Sequence, residues 1–159
     1  MIPQEIADTL KAKFPDAILE VKIDGVIDPF ARVAPGKIKD VSTFMRDQDG
    51  MAFDYLMCLS GVDYGNGKLG VVYNLSSMKW SHKFALKVDV TVENPHLQSV
   101  ESVWKTANWH EREAYDMVGV IFDGHPDLRR ILLPDDWEGY PLRKNYKVPE
   151  YYRGMKVPY

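Results

Sequence analysis

Glu111-Arg112-Glu113-Ala114-Tyr115-Asp116-Met117-Val118-Gly119-Val120-Ile121-Phe122-Asp123-Gly124-His125-Pro126-Asp127-Leu128-Arg129-Arg130-Ile131-Leu132 is the stretch on which the reading of this chain turns. Its first half has helical periodicity and ends at Gly119, suited to the left-handed backbone that closes a helix. At about 100° per residue, Trp104, Ala107, Glu111, Ala114, Tyr115 and Val118 gather on one face. Glu111 thus lies in the middle of an apolar stripe, while Arg112, Glu113 and Asp116 point elsewhere. A carboxylate carried inward without a partner costs on the order of several kcal/mol. Arg129 and Arg130, a short turn downstream, are the nearest partners in sequence. On the other face, Arg112 and Asp116 stand at i, i+4 spacing and are expected to pair.

Such charge density invites a catalytic reading. Hydrolytic carboxylate pairs face each other across a cleft and come from separate elements, whereas Glu111, Glu113 and Asp116 diverge from one helix. No Ser or Cys shows a His and acid setting for nucleophilic attack. His125 precedes Pro126, which holds it in an extended conformation. It is expected either to hydrogen-bond the neighbouring helix or to present a polar group to a partner. A structural and interface role for the block outweighs a catalytic one.

Upstream, Ile2, Ile6, Leu10 and Phe14 form one stripe of a short helix between Pro3 and Pro15. Ala17, Leu19, Val21 and Ile23 alternate as a half-buried strand, Asp24-Gly25 turns, and a second strand reaches Val33. Ile38, Val41 and Met45 mark a second helix that Asp49-Gly50 ends. Three strands follow, over residues 52–62, 69–75 and 82–92. In the last, Phe84, Leu86, Val88, Val90 and Val92 face one way. Ser99 is read as the N-cap of the helix that runs, with a break near Lys105-Thr106, to Val118. Helices on either side of a meander predict an α+β fold, a two-layer sandwich of helices on a mostly antiparallel sheet.

Downstream of Leu133, Pro134, Pro141, Pro149 and Pro158 interrupt a segment carrying Trp137, Tyr140, Tyr146, Tyr151, Tyr152 and Tyr159. This change of character divides the chain into an α+β domain over 1–133 and an extended Pro/aromatic-rich C-terminal docking tail over 134–159. Large aromatics avoid water, so the tail is expected to lie on a surface, a partner's more than its own.

The 159 residues suffice for one core. A net charge of -3 argues against nucleic-acid binding. No apolar run reaches the roughly 20 residues of a membrane span, and the start of the chain lacks a signal-peptide pattern, so a reducing compartment is expected. The single cysteine, Cys58, excludes an internal disulfide and an iron–sulfur cluster held by this chain alone. In its apolar run it reads as a small buried hydrophobe. Gly65-Asn66-Gly67-Lys68-Leu69-Gly70 matches the dinucleotide pattern G-x-G-x-x-G, but a strand follows where a helix is required. It reads as a hairpin loop. His82, His96, His110 and His125 show no metal-ligand spacing. His110 and Glu113 make one i, i+3 pair, half of a di-iron site at best.

The order Glu111-Arg112-Glu113, Asp116, Met117-Val118, His125, Arg129, Ile131-Leu132 resembles the signature of the thirty-kilodalton subunit family of respiratory complex I, NADH:quinone oxidoreductase. Trp104, Ala107-Asn108-Trp109, Gly124 to Leu128 and Gly139-Tyr140-Pro141-Leu142-Arg143-Lys144 also look like that family, as does Gly61-Val62-Asp63-Tyr64. Many members continue further at the C-terminus. The resemblance implies a non-catalytic subunit of the peripheral arm, on the cytoplasmic side of a prokaryotic membrane. Such a subunit packs against the large quinone-site subunit and near iron–sulfur subunits. It implies no cofactor on this chain, with FMN and iron–sulfur clusters elsewhere in the complex. Together the residues and the resemblance nominate Glu111, Arg112, Glu113, Asp116, His125, Asp127, Arg129, Arg130, Trp137, Arg143 and Lys144 as structural or interface positions. Two alternatives accompany this reading. One is the equivalent subunit of an energy-converting hydrogenase or of a ferredoxin- or deazaflavin-dependent dehydrogenase. The other is a free-standing soluble hydrolase.

Overall fold

A computed structural model describes residues 1–157, so Pro158 and Tyr159 of the expected tail lie outside the described residues. Three helices, α1 (Pro3–Lys13), α2 (Ile38–Asp47) and α3 (Ala107–Val118), pack on a five-stranded sheet. Its strands are β1 (Ile18–Lys22), β2 (Phe30–Val33), β3 (Tyr55–Gly65), β4 (Lys68–Ser76) and β5 (Lys83–Thr91), in the order β1-β2-β5-β4-β3. All neighbours are antiparallel except β2 and β5, which run parallel because a helix and a hairpin separate them in sequence. Two small parallel strands, β6 (His96–Gln98) and β7 (Ile121–Asp123), bracket α3, and a hairpin of β8 (Tyr151–Tyr152) and β9 (Met155–Lys156) follows late in the chain.

The period-two pattern does what it predicts at the centre of the sheet. Leu69, Val71, Tyr73 and Leu75 of β4 pair across with Val90, Val88, Leu86 and Phe84 of β5, and all are buried in the core. Ile6 and Leu10 of α1 and Ile38, Val41 and Met45 of α2 complete that core at 0% exposure. The opposite sheet face is polar. Arg32 of β2 reaches Glu20 of β1 and Asp89 of β5, and Lys68 of β4 joins Asp89 at 2.6 Å, so one charged row crosses four strands.

The glycine-rich motif is a hairpin. Asn66 and Gly67, at φ 54° and 75°, form a two-residue turn whose twist suits the flanking strands. Gly70 lies in β4, where a Cβ would run into the Tyr64 ring. None of the three glycines opens a helix.

Three expectations need correction. In β1 the register slips between Ile18 and Glu20, leaving Leu19 as the extra residue of a bulge. Leu19 is therefore 61% exposed, while Ile18 and Val21 pack on the core. Ser99 does not cap α3, since the chain turns from Ser99 to Thr106 before the helix starts at Ala107. Trp104 pins that turn by donating its indole N–H to the Phe53 carbonyl at 2.8 Å. Cys58 is half-buried rather than enclosed, because a second bulge, between Leu56 and Cys58, sets it opposite Asn74 and leaves the core position opposite Tyr73 to Leu59.

The Tyr73 hydroxyl is buried in this core without a hydrogen-bond partner. An unsatisfied buried hydroxyl costs roughly 1–3 kcal/mol. Tyr73→Phe is expected to leave the protein as stable or up to about 1 kcal/mol more stable in urea unfolding. A loss above about 1 kcal/mol contradicts the assignment of that hydroxyl as unpaired.

Candidate functional site

The signature residues converge where α3 meets the segment that leaves β7. Both inward carboxylates are fully buried, in two different settings. Glu111 accepts from the Ser99 hydroxyl at 2.6 Å and from the Val100 N–H at 2.7 Å, bracing α3 against the turn before it. Burial pushes its carboxyl up to about 7; the bonds from Ser99 and Val100 pull the other way, and Glu101 adds to the rise. The partner is therefore upstream and neutral, not Arg129 or Arg130.

Asp116 holds the arginine instead. One oxygen accepts from Arg130 at 2.7 Å, and the other accepts the consecutive N–H groups of Ile131, Leu132 and Leu133 at 3.0, 2.7 and 2.9 Å. Burial pushes this carboxyl up, but the Leu133 N–H, Arg130 and the remaining donors outweigh it, and it stays below its ordinary value. The expected Arg112–Asp116 pair does not form. Arg112 turns to the Arg129 and Arg130 carbonyls at 3.2 and 3.1 Å and lies over Trp109. Arg130 also binds the Trp137 and Gly139 carbonyls at 2.8 and 3.0 Å. The second polar face of α3 is thus covered by the chain that follows it.

His125 accepts the Asp127 N–H at Nδ1 and donates from Nε2 to the Asn108 carbonyl at 3.0 Å. Of the two expectations for His125, the hydrogen bond to the neighbouring helix is the one seen. Asp127 pairs with Arg129 at 2.9 Å in solvent, where such a pair contributes little.

The tail folds back on its own domain as far as Lys144, against the expectation of a partner's surface for this part. Its backbone needs acceptors, and the open end of α3 supplies them. The Leu142 N–H reaches the Met117 carbonyl at 2.9 Å, and Arg143 reaches the Val118 carbonyl at 2.7 Å. Tyr140 and Arg143 close over Gly119, which combines φ 82° with no room for a Cβ. The Lys144 N–H and side chain reach Asp63 and Tyr64 at the end of β3, at 2.8 and 3.1 Å. Trp137 donates to the Tyr146 hydroxyl at 3.0 Å. Beyond this, Arg153 and Gly154, at φ 48° and 77°, turn the β8–β9 hairpin where an extended run is expected.

Ser99, Val100, Asp63 and Gly119 are site residues that the sequence alone does not nominate for these roles. Only Gly119, a helix-ending glycine before a tyrosine-rich tail, carries a recognisable signal. Glu111 and Asp116 are both enclosed, so these two are not placed as a hydrolytic pair. Among the described residues no group of three His, Cys, Asp or Glu side chains is arranged to hold a metal ion, and no helix is long and apolar enough to cross a membrane.

Exposed on α3 and in the chain after it are Glu113, Asp127, Arg129 and Lys144, with Trp109, Leu132, Leu142, Val148, Tyr151 and Met155. The inward polar groups fix the segment, and the outward apolar ones remain uncovered.

Residues 31–152 match the family described as respiratory-chain NADH dehydrogenase, 30 Kd subunit. An NADH-quinone oxidoreductase subunit of Chloroherpeton thalassium is 50% identical over 159 residues, covering 99% of this chain. The same-named subunit of Chlorobium phaeobacteroides is 50% identical over 154 residues and 96% of this chain. The chain spans 66% of the length of the first relative and 93% of the second. Among solved structures, the trypsin-resistant fragment of Nqo5 superposes with a TM-score of 0.66 at 29% identity, covering 80% of this chain and all of that one. A chain of the membrane-bound sulfane sulfur reductase, an archaeal respiratory membrane complex, superposes at 0.75 with 25% identity, covering 91% of this chain and 85% of that one.

The two buried carboxylates differ in ways that unfolding experiments read. Glu111 has a folded-state value of about 7 against an ordinary 4.5, so the folded state holds this proton more tightly. Its contribution is full below about pH 4.5 and is lost as pH rises through 7, by roughly 3 kcal/mol at about 1.4 kcal/mol per pH unit. Glu111→Gln keeps an acceptor for Val100 and should flatten the fall between pH 5 and 8 in denaturant titrations. Parallel profiles for the two proteins would refute the assignment. Asp116→Asn breaks a buried pair and should cost about 3–5 kcal/mol, whereas Asp127→Asn should change stability by less than about 1 kcal/mol. Equal losses in thermal unfolding would contradict this ranking.

Proposed function

The chain belongs to the respiratory-chain NADH dehydrogenase 30 Kd subunit family, and we propose from that membership that it is a non-catalytic subunit of the peripheral arm of a proton-translocating NADH:quinone oxidoreductase. In this reading it docks against the large quinone-site subunit, near iron–sulfur subunits, and supports electron transfer from NADH to quinone by fixing their geometry. The observation that carries it is the division of labour around α3. Glu111, Arg112, Asp116 and Arg130 are consumed in holding the segment to its own domain, while Trp109 of α3 and Leu132 and Leu142 of the chain that follows stay exposed. A rigid backing that leaves large apolar side chains uncovered suits a docking element. Glu113, Asp127, Arg129 and Lys144 supply its polar rim. Asp116, His125, Trp137 and Arg143 set its shape, and residues 134–159 act as its docking tail.

One observation favours a second reading. The likeness to a chain of an archaeal sulfane sulfur reductase fits an equivalent subunit in a respiratory complex with another electron donor or acceptor. Tagging the chain in its native host and purifying it from solubilised membranes separates the two. Co-purification with NADH-dependent quinone reductase activity is the expected result. Recovery with sulfur reductase or hydrogenase activity supports the second reading, and recovery as an active monomer overturns both. Glu111→Ala leaves the Val100 N–H unpaired and should lower the amount of complex severalfold, with turnover per assembled complex retained. Normal yield with abolished turnover would place Glu111 in the chemistry.

A further inference from the structure

β3 is the edge of the sheet, and among the described residues no strand lies on its outer side. Between that edge and α3 runs a groove of about 270 Å³. Four consecutive residues, Cys58, Leu59, Ser60 and Gly61, line it. Alternate residues of a strand point to opposite faces, so a consecutive run means that the groove exposes the backbone edge of β3 rather than one face. The floor is apolar, made by Ala114, Met117 and Leu142. A Cβ on Gly61 would lie 3.1 Å from Val118 and 3.2 Å from Ala114, so helix and strand close at that end and leave the groove open toward Cys58.

Glu113 stands on the rim beside His110. It is the one acid of the Glu-Arg-Glu-x-x-Asp run that the fold does not use. Glu111 and Asp116 are saturated with donors, and among the described residues Glu113 has no hydrogen bond or ion pair, with its side chain in solvent. An unpaired strand edge calls for backbone donors and acceptors, an apolar floor calls for aliphatic or aromatic side chains, and a lone carboxylate calls for a cation.

We propose that this groove receives an extended segment of a neighbouring subunit, which adds to the free edge of β3, places a Lys or Arg against Glu113 and lays apolar residues on Met117 and Leu142. The inference rests on the reading of the chain as a subunit of a respiratory complex, and it names a contact surface built from β3 and α3 in which the tail takes part only through Leu142.

The chain's single cysteine lies in the groove and reports on it. Cys58 in the purified complex should react with N-ethylmaleimide at least tenfold more slowly than in the isolated full chain. Benzophenone maleimide attached at Cys58 before assembly should cross-link, on irradiation, to one peptide with a basic residue between apolar ones. Glu113→Lys should lower recovery of the chain with its complex at least fivefold. Asp24→Lys, an equal charge reversal at the distant turn before β2, should leave recovery unchanged, and both variants should melt as the parent does. Undiminished Cys58 reactivity in a complex that contains the chain overturns the groove's occupancy and leaves the family role intact. Cross-linking to a second copy overturns the occupant. Equal recovery of the two charge variants overturns the role of Glu113. Absence of the chain from any complex overturns this inference and the functional reading together.

Discussion

Everything on the α3 side of the molecule depends on one carboxylate. Asp116 is fully buried and would be intolerable there alone, yet four donors converge on it. Three of them are successive backbone N–H groups, so the carboxylate dictates the path of the main chain from Ile131 to Leu133. The fourth, Arg130, passes the constraint on to the Trp137 and Gly139 carbonyls. A segment too rich in proline to form a helix is held by a single acid and its arginine. Without that anchor, neither the turn over Gly119 nor the approach of Lys144 to β3 has a fixed starting point.

Glu111 solves a different problem in the same helix. Its donors are neutral, a hydroxyl and one N–H, so burial is only partly offset and the group lies near neutrality instead of far below it. Two acids five residues apart thus end on opposite sides of their ordinary value. Both side chains are at 0% exposure, but Asp116 has three N–H groups and a guanidinium to offset its burial where Glu111 has one N–H and one hydroxyl.

Local periodicity was readable wherever one element packs on one core. Phe84, Leu86, Val88 and Val90 alternate because both the strand and its burial have period two. Asn66-Gly67 announces its hairpin because few residue pairs accept two positive φ values. What the sequence hides is any contact made from outside the element being read. A helical wheel places Asp116 on the outer face, and that is right for the helix in isolation. The Arg129–Leu133 segment then covers that face, and no count along α3 reveals a cover supplied from beyond it. Glu111 fails in the same way, since its partners precede the helix while the obvious cations follow it. At Leu19 the alternation is real, but one inserted residue in β1 shifts its phase. The family signature compensates for some of this, because it records which residues recur together without saying what they touch.

The parallel pairing of β2 with β5 has a bearing on how the chain is made. Phe30 waits for Ala85 and Ala31 for Leu86, and translation at roughly 5–20 residues per second separates those partners by several seconds. During that interval both edges of the β1–β2 ribbon are open, that of β2 on the side where β5 will pair. The β3–β4 hairpin, closed by its two-residue turn, forms from neighbours and needs no such delay. Completion of the sheet therefore falls to β5, which enters between two older pieces and joins them. The nascent chain carries its greatest risk of misassociation just before that strand emerges.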